Sequence, residues 1–212
     1  MEWRKLKIAL FTTIYMLAIV WLTFFMQIML SVDIDKVAIF PREWVCAANF
    51  LISPLFHVDV DHIVNNSIAF LILSLACFYF YGGIALSVIL GGIGSGVFVW
   101  LFGREAYHVG LSGVCYSLAS FLFVSGIIRK NISLRSISLL IVFWQGGLVW
   151  GMIPSLSEPL NISWEGHLFG AMVGFVMAFI WRKRGPKDDP EIEDERQEDY
   201  LDFDEQLEDD RS

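Results

Sequence analysis

Cysteine is scarce in this chain of 212 residues, and its three copies, Cys46, Cys77 and Cys115, form no even framework. Two of them lie inside apolar runs, where a thiol packs as a small hydrophobe, so all three read as packing residues. The H-E-x-x-H helix of zinc proteases is missing, and there is no basic face of the kind that would bind nucleic acid. Charge is missing from the depth of every long apolar run and no paired repeat is visible, which weighs against a transporter. No small-residue cleavage site follows the first apolar run, so that run is expected to be an anchor helix and not a removable signal.

What is present is hydrophobic: 56% of the residues are apolar and the mean hydropathy is clearly positive, which indicates a membrane protein. The formal net charge of −8 is unevenly spread, because Lys183 to Ser212 carries fourteen acids and five bases. The expected organisation is therefore a nearly neutral membrane domain over 1–182 and an acidic, disordered cytoplasmic tail over 183–212.

Apolar stretches long enough for about 30 Å of hydrocarbon fall at 8–30, 62–81, 84–102, 112–128, 136–153 and 166–182, predicting an all-α bundle of six transmembrane helices. Spans two and three are joined by the tight "YGG", whereas some thirty amphipathic residues separate spans one and two. Basic clusters at Arg4, Lys5 and Lys7, at Arg129, Lys130 and Arg135, and at Arg182, Lys183 and Arg184 all fall on one side of such a topology. That side is expected to be cytoplasmic, with both termini on it.

The long loop then lies on the outer face, and Ser112, His62 and His167 open spans four, two and six at similar depth. Polar groups from three helices meeting in lipid mark a functional site by default. The hydroxyl of Ser112 needs a base, for which His167 is the natural partner. Glu165 and Asp61 stand near the two histidines in sequence, but neither spacing demands contact, and a Ser–His pair is chemically adequate if packing orients the ring. Tyr116, four residues after Ser112, shares its helical face and could stack on the imidazole. Gly113 clears space beside the hydroxyl. Gly170, Gly174 and Ala178 form a small-residue stripe for close helix packing. His62 and Asn66 share a face of span two and, with the Ser112 amide, could donate to an oxyanion.

"SPLFHVDVDHIVNN", "GLSG" with Tyr116, and "HLFGAMVG", in this order on separate helices, resemble the rhomboid family of intramembrane serine proteases over nearly all of the six-span body. The resemblance implies Ser112 as nucleophile, in a G-x-S-G motif opened by Gly110, and His167 as general base and acid. It implies His62 and Asn66 as oxyanion donors with the Ser112 amide, and His57 as a structural histidine of the outer loop. It implies hydrolysis of transmembrane segments of other proteins within a lipid bilayer, with no cofactor and no metal, in the plasma membrane of a bacterium. It also points to span five, with Gly146 and Gly147, as a lateral gate against span two, although those glycines could equally be close-packing sites. One departure stands out: Ala48 and Asn49 occupy places where many relatives have Trp-Arg, while "REW" stands at Arg42 to Trp44. The rival readings are a catalytically silent rhomboid-like protein that binds and escorts membrane helices, which would lack the serine or the histidine, and a metal site of His57, His62 and His167 with Asp59 or Asp61.

Overall fold

The computed structural model describes residues 2–136, 139 and 163–186. All of span five but residues 136 and 139, its two glycines, most of the last outer loop and the tail from residue 187 lie outside the described residues. Among those described there is no strand, only an isolated antiparallel bridge between Ile39 and His108, and the fold is a bundle of apolar helices.

Helix α1 runs Glu2–Met29 and α2 runs Val60–Tyr81. The third span is built from α3, Ile84–Gly94, and α4, Gly96–Phe102. Helix α5 is Ser112–Ile128 and α6 is Trp164–Ile180. Spans one, two, three, four and six of the sequence reading each meet a helix, and α1 begins well before the apolar run because Glu2 to Lys7 continue it without a breaker. The third span is interrupted at Ser95, whose hydroxyl donates to Gly92 O at 2.7 Å. A serine bonding back into a glycine-rich turn is a recognised cause of such a break.

Helix α1 is peripheral. Its buried residues Ala9, Thr13, Val20, Phe24 and Gln27 recur at helical spacing and form one stripe, while Phe11, Leu22 and Met29 are exposed to what would be lipid. Thr13 Oγ1 and Ser74 Oγ meet at 3.0 Å in that stripe, a polar tie of the sort worth about 0.6 kcal/mol between membrane helices. The core lies between α2 and α5, where Ile63, Leu73, Leu118, Phe121 and Leu122 are wholly buried.

The most intimate seam joins α5 and α6. A Cβ at Gly170 would collide with the Gly113 carbonyl, and one at Gly174 with the Ser117 carbonyl, so the two backbones touch without intervening side chains. At the opposite end of these helices Arg129 donates to Arg182 O at 2.9 Å and to Pro186 O at 2.8 Å. Tyr79 donates to Glu2 at 2.7 Å, and Gly185 packs on Tyr81. The N-terminal basic cluster and those that follow α5 and α6 therefore share one end of the bundle.

The other end carries the long loop, which contains four short 3-10 turns, Ile34–Lys36, Trp44–Cys46, Asn49–Leu51 and Ser53–Leu55. Asn49, at the departure noted above, donates to Lys36 O and Ala38 O at 3.1 and 2.7 Å. Arg42 reaches Gly103 O at 2.8 Å, and the Trp44 and Trp100 rings meet edge to face at 5.0 Å. Asn49 and the "REW" residues thus tie the loop to itself and to the loop after α4.

Candidate active site

Ser112 is the first residue of α5 and His167 lies in the first turn of α6, both at the loop-bearing end. His167 Nε2 and Ser112 Oγ are 2.9 Å apart, a hydrogen bond whose direction depends on the tautomer. Backbone packing of Gly113 against Gly170 brings them this close: a Cβ at Gly170 would run into the Gly113 carbonyl, and one at Gly113 would press on the Gly166 carbonyl at 3.2 Å. On the other side of the imidazole, the Tyr116 ring lies nearly parallel at a centroid distance of 4.2 Å and an angle of 13°. The base is thus held by a hydroxyl at one edge and an aromatic face, and it is only 8% exposed.

The turn before Ser112 depends on Gly110, whose φ of +116° is a region that L side chains rarely adopt. A Cβ there would also fall 2.7 Å from His62 Nε2 and 3.5 Å from Asn66 Nδ2. Gly110, His62 and Asn66 therefore converge two residues before Ser112. Among the described residues the buried Asn66 amide nitrogen has no acceptor, a costly state for a polar group. His62 is oriented from below by its helix cap, Asp59, which accepts its backbone N–H at 2.7 Å.

His57 is wholly buried just outside α2. Gln27 of α1 clamps it, donating to its carbonyl at 2.7 Å and accepting from its N–H at 3.3 Å. Its ring meets His62 edge to face at 4.9 Å, and its Nε2 faces the Leu111 N–H at 3.5 Å. Burial, with the neighbouring His62 adding a smaller effect, lowers its pKa to about 4, so the ring is neutral at ordinary pH. His57 thus connects α1, the outer loop and the Gly110 turn. Among the described residues, His57 pairs with His62, His108 with Ser163, and His167 with Ser112 and Tyr116, and no group of three His, Cys, Asp or Glu side chains is gathered for a metal ion.

A cavity of about 40 Å³ opens beside Ser112, walled by Ser95, Gly96, Pro54, His108, Ser163 and Gly166 among others. That is room for two or three waters, and the polar lining would hold them. The break at Ser95 contributes directly, since it places a hydroxyl and Gly96 on the cavity wall.

Three contributors escape the motifs: Gln27, His108 and Ser163. Gln27 carried a signal, being a lone amide in an apolar run. Ser163 also did, as a hydroxyl just before the last apolar helix, where it accepts the Gly166 N–H at 3.3 Å as an N-cap. His108 carried none. Glu165 does not complete a triad: two residues from His167 it faces the other way, and its buried carboxylate accepts from the Arg104 N–H at 3.2 Å.

Residues 45–184 match the rhomboid domain. An uncharacterized protein of Mycobacterium tuberculosis (strain CDC 1551 / Oshkosh) is 32% identical over 142 residues, covering 61% of this chain and 57% of that protein. An uncharacterized protein of Mycobacterium leprae (strain TN) is 30% identical over 143 residues, covering 60% of this chain and 53% of the relative. A protein of Acanthamoeba polyphaga mimivirus, whose name assigns it provisionally to the rhomboids, is 29% identical over 147 residues, with coverages of 63% and 74%. The chain thus spans little more than half the length of the mycobacterial relatives. With the domain match extending over well beyond half of its residues, this membrane protein belongs to the rhomboid family.

Proposed function

We propose that the protein is an intramembrane serine endopeptidase that cleaves transmembrane segments of other proteins with Ser112 and His167. The observation that carries this reading is the 2.9 Å contact between Ser112 Oγ and His167 Nε2, with the imidazole stacked on Tyr116. Neither group alone argues for hydrolysis, but a hydroxyl paired with a restrained base is the minimal apparatus for nucleophilic catalysis.

In the reaction, Ser112 Oγ attacks the scissile carbonyl as His167 Nε2 takes its proton. The carbonyl oxygen becomes an oxyanion that accepts from Asn66 Nδ2, the His62 ring and the Ser112 N–H. The tetrahedral intermediate collapses, the C–N bond breaks and the imidazolium protonates the departing amine, leaving an acyl group on Ser112. Water from the cavity beside Ser112, deprotonated by His167, then attacks the ester and releases the acid.

Depth supports the same reading. Helices α5 and α6 are 17 residues each, a rise of about 25 Å, short of the roughly 30 Å of hydrocarbon. With their basic ends at the cytoplasmic surface, their first turns lie a few ångströms inside the opposite leaflet, in the plasma membrane of a bacterium. A substrate helix fraying near its outer end would present its backbone there.

Labelling with a fluorophosphonate in detergent or lipid tests the proposal. Ser112 should be labelled in the wild-type protein, with labelling abolished in Ser112→Ala, greatly slowed in His167→Ala and insensitive to chelators. An unreactive Ser112 in a folded wild-type protein would move the reading to a helix-binding, non-catalytic rhomboid.

A further inference from the structure

The back of α6 is held by a polar cluster separate from the groups that would do the chemistry. Glu165 is 1% exposed and His108 is 3% exposed, a degree of burial at which each polar partner counts; Glu165 Oε2 lies 4.0 Å from His108 Nδ1 and makes no hydrogen bond among the described residues. Glu165 Oε1 accepts from the Arg104 N–H at 3.2 Å and lies 3.7 Å from its guanidinium Nε. His108 Nε2 is 3.2 Å from Arg104 O, and His108 Nδ1 is 2.7 Å from Ser163 Oγ. Ser163 in turn caps α6 through the Gly166 N–H, and its carbonyl accepts the His167 N–H at 3.3 Å.

One proton arrangement satisfies this chain throughout. A neutral His108 carrying its proton on Nε2 donates to Arg104 O; Ser163 donates its hydroxyl proton to His108 Nδ1; and Gly166 N–H donates to Ser163 Oγ. Burial lowers the pKa of His108, which favours the neutral ring that this arrangement requires. Among the described residues, the charged groups facing it are Arg104 and Glu165. The cluster is anchored beyond itself by the paired backbones of His108 and Ile39, 2.9 Å in both directions, and so to the outer loop.

Glu165 and His167 are two residues apart, about 200° around the helix, so α6 is gripped at its first turn from both sides. Gly113 holds it from α5, and Arg104, His108 and Ser163 hold it from behind. We infer that Ser163 and Glu165, through Arg104 and His108, are positioning residues that fix the first turn of α6 and thereby the aim of the His167 imidazole at Ser112. This rests on the proposed dyad. None of the four side chains is hydrogen-bonded to Ser112 or to the His167 ring among the described contacts, although His108 and Ser163 also wall the cavity beside Ser112.

The test is the kinetics of Ser112 labelling by a fluorophosphonate, separated into the limiting rate at saturation, the concentration for half-saturation and the final labelled fraction. Ser163→Ala and Glu165→Ala should each slow the limiting rate about tenfold, in keeping with the sensitivity of such steps to displacements under an ångström. The half-saturation concentration and final fraction should not change. Ser163→Thr, which keeps the hydroxyl, and Glu165→Gln, which keeps an oxygen for the Arg104 N–H, should label within about threefold of wild type. If the alanine variants lose only thermal stability and label at the wild-type rate, or if the conservative variants are as slow as the alanine ones, the positioning role is overturned while the dyad stands. An unlabelled wild-type protein would remove the dyad and this inference together.

Discussion

Tyr116 and His167 lie ring upon ring, 4.2 Å between centroids and 13° from parallel, so an aromatic face on one helix limits the rotation of an imidazole on another. The relationship predicts a graded series. Tyr116→Phe keeps the face and should retain most of the Ser112 labelling rate, whereas Tyr116→Ala frees the ring and should lose roughly ten- to a hundredfold. Similar rates for the two variants would show that the stack does not orient the base.

Asn66 should separate stability from catalysis. Its buried amide nitrogen has no acceptor among the described residues, so removing it forfeits no hydrogen bond to them. Asn66→Ala is expected to leave the melting temperature in detergent unchanged or slightly raised, while lowering peptide-bond cleavage by roughly ten- to a thousandfold in kcat, the range found for single oxyanion donors. A variant that unfolds readily but cleaves normally would assign the amide to structure.

Close approach at the α5–α6 seam predicts intolerance to a single methyl group. Gly174→Ala should destabilise the protein by about 1–3 kcal/mol, the usual penalty for overpacking, because its new carbon would meet the Ser117 carbonyl. Gly83→Ala is the matched control: φ is −61° there and nothing lies within 4 Å of the added carbon. Reversible unfolding in mixed detergent compares the two, and equal stabilities would contradict the backbone contact.

Acid should weaken the folded state partly through His57. Its pKa falls from 6.5 to about 4 on burial, so between those values the unfolded chain binds more protons than the folded one. Stability therefore rises with pH across that window and is flat, for this group, above about 6.5. Melting temperatures recorded from pH 7 to pH 4 should fall, and His57→Gln should make the decline shallower. An unchanged slope in that variant would mean that His57 does not sense the acid.

The helices and the site were legible to different degrees. Hydropathy located α1, α2, α5 and α6 because lipid demands unbroken apolar length, but it could not reveal that the third span stops at Ser95, where the cause is a local bond from a hydroxyl to Gly92 O. Ser112, His167, Tyr116, Gly110, His62 and Asn66 could be named as residue types that make sense together. Their separations could not be named, since these depend on how closely α5 and α6 pack. The grip of Arg104, His108 and Glu165 left no trace in the pattern at all: a buried ion cluster between a loop and a helix start has no periodicity to betray it. Asn49 shows the converse, a departure from the family pattern whose replacement bonds became visible only once the loop was folded.

The backbone contact between α5 and α6 also limits where the molecule could admit a peptide. Side chains can swing aside on demand, but carbonyls set against glycines have no rotamers to change, and parting them would mean moving two whole helices and pulling the nucleophile from its base. That joint is not a door, and in the proposed reaction a visiting helix must come in elsewhere than between α5 and α6.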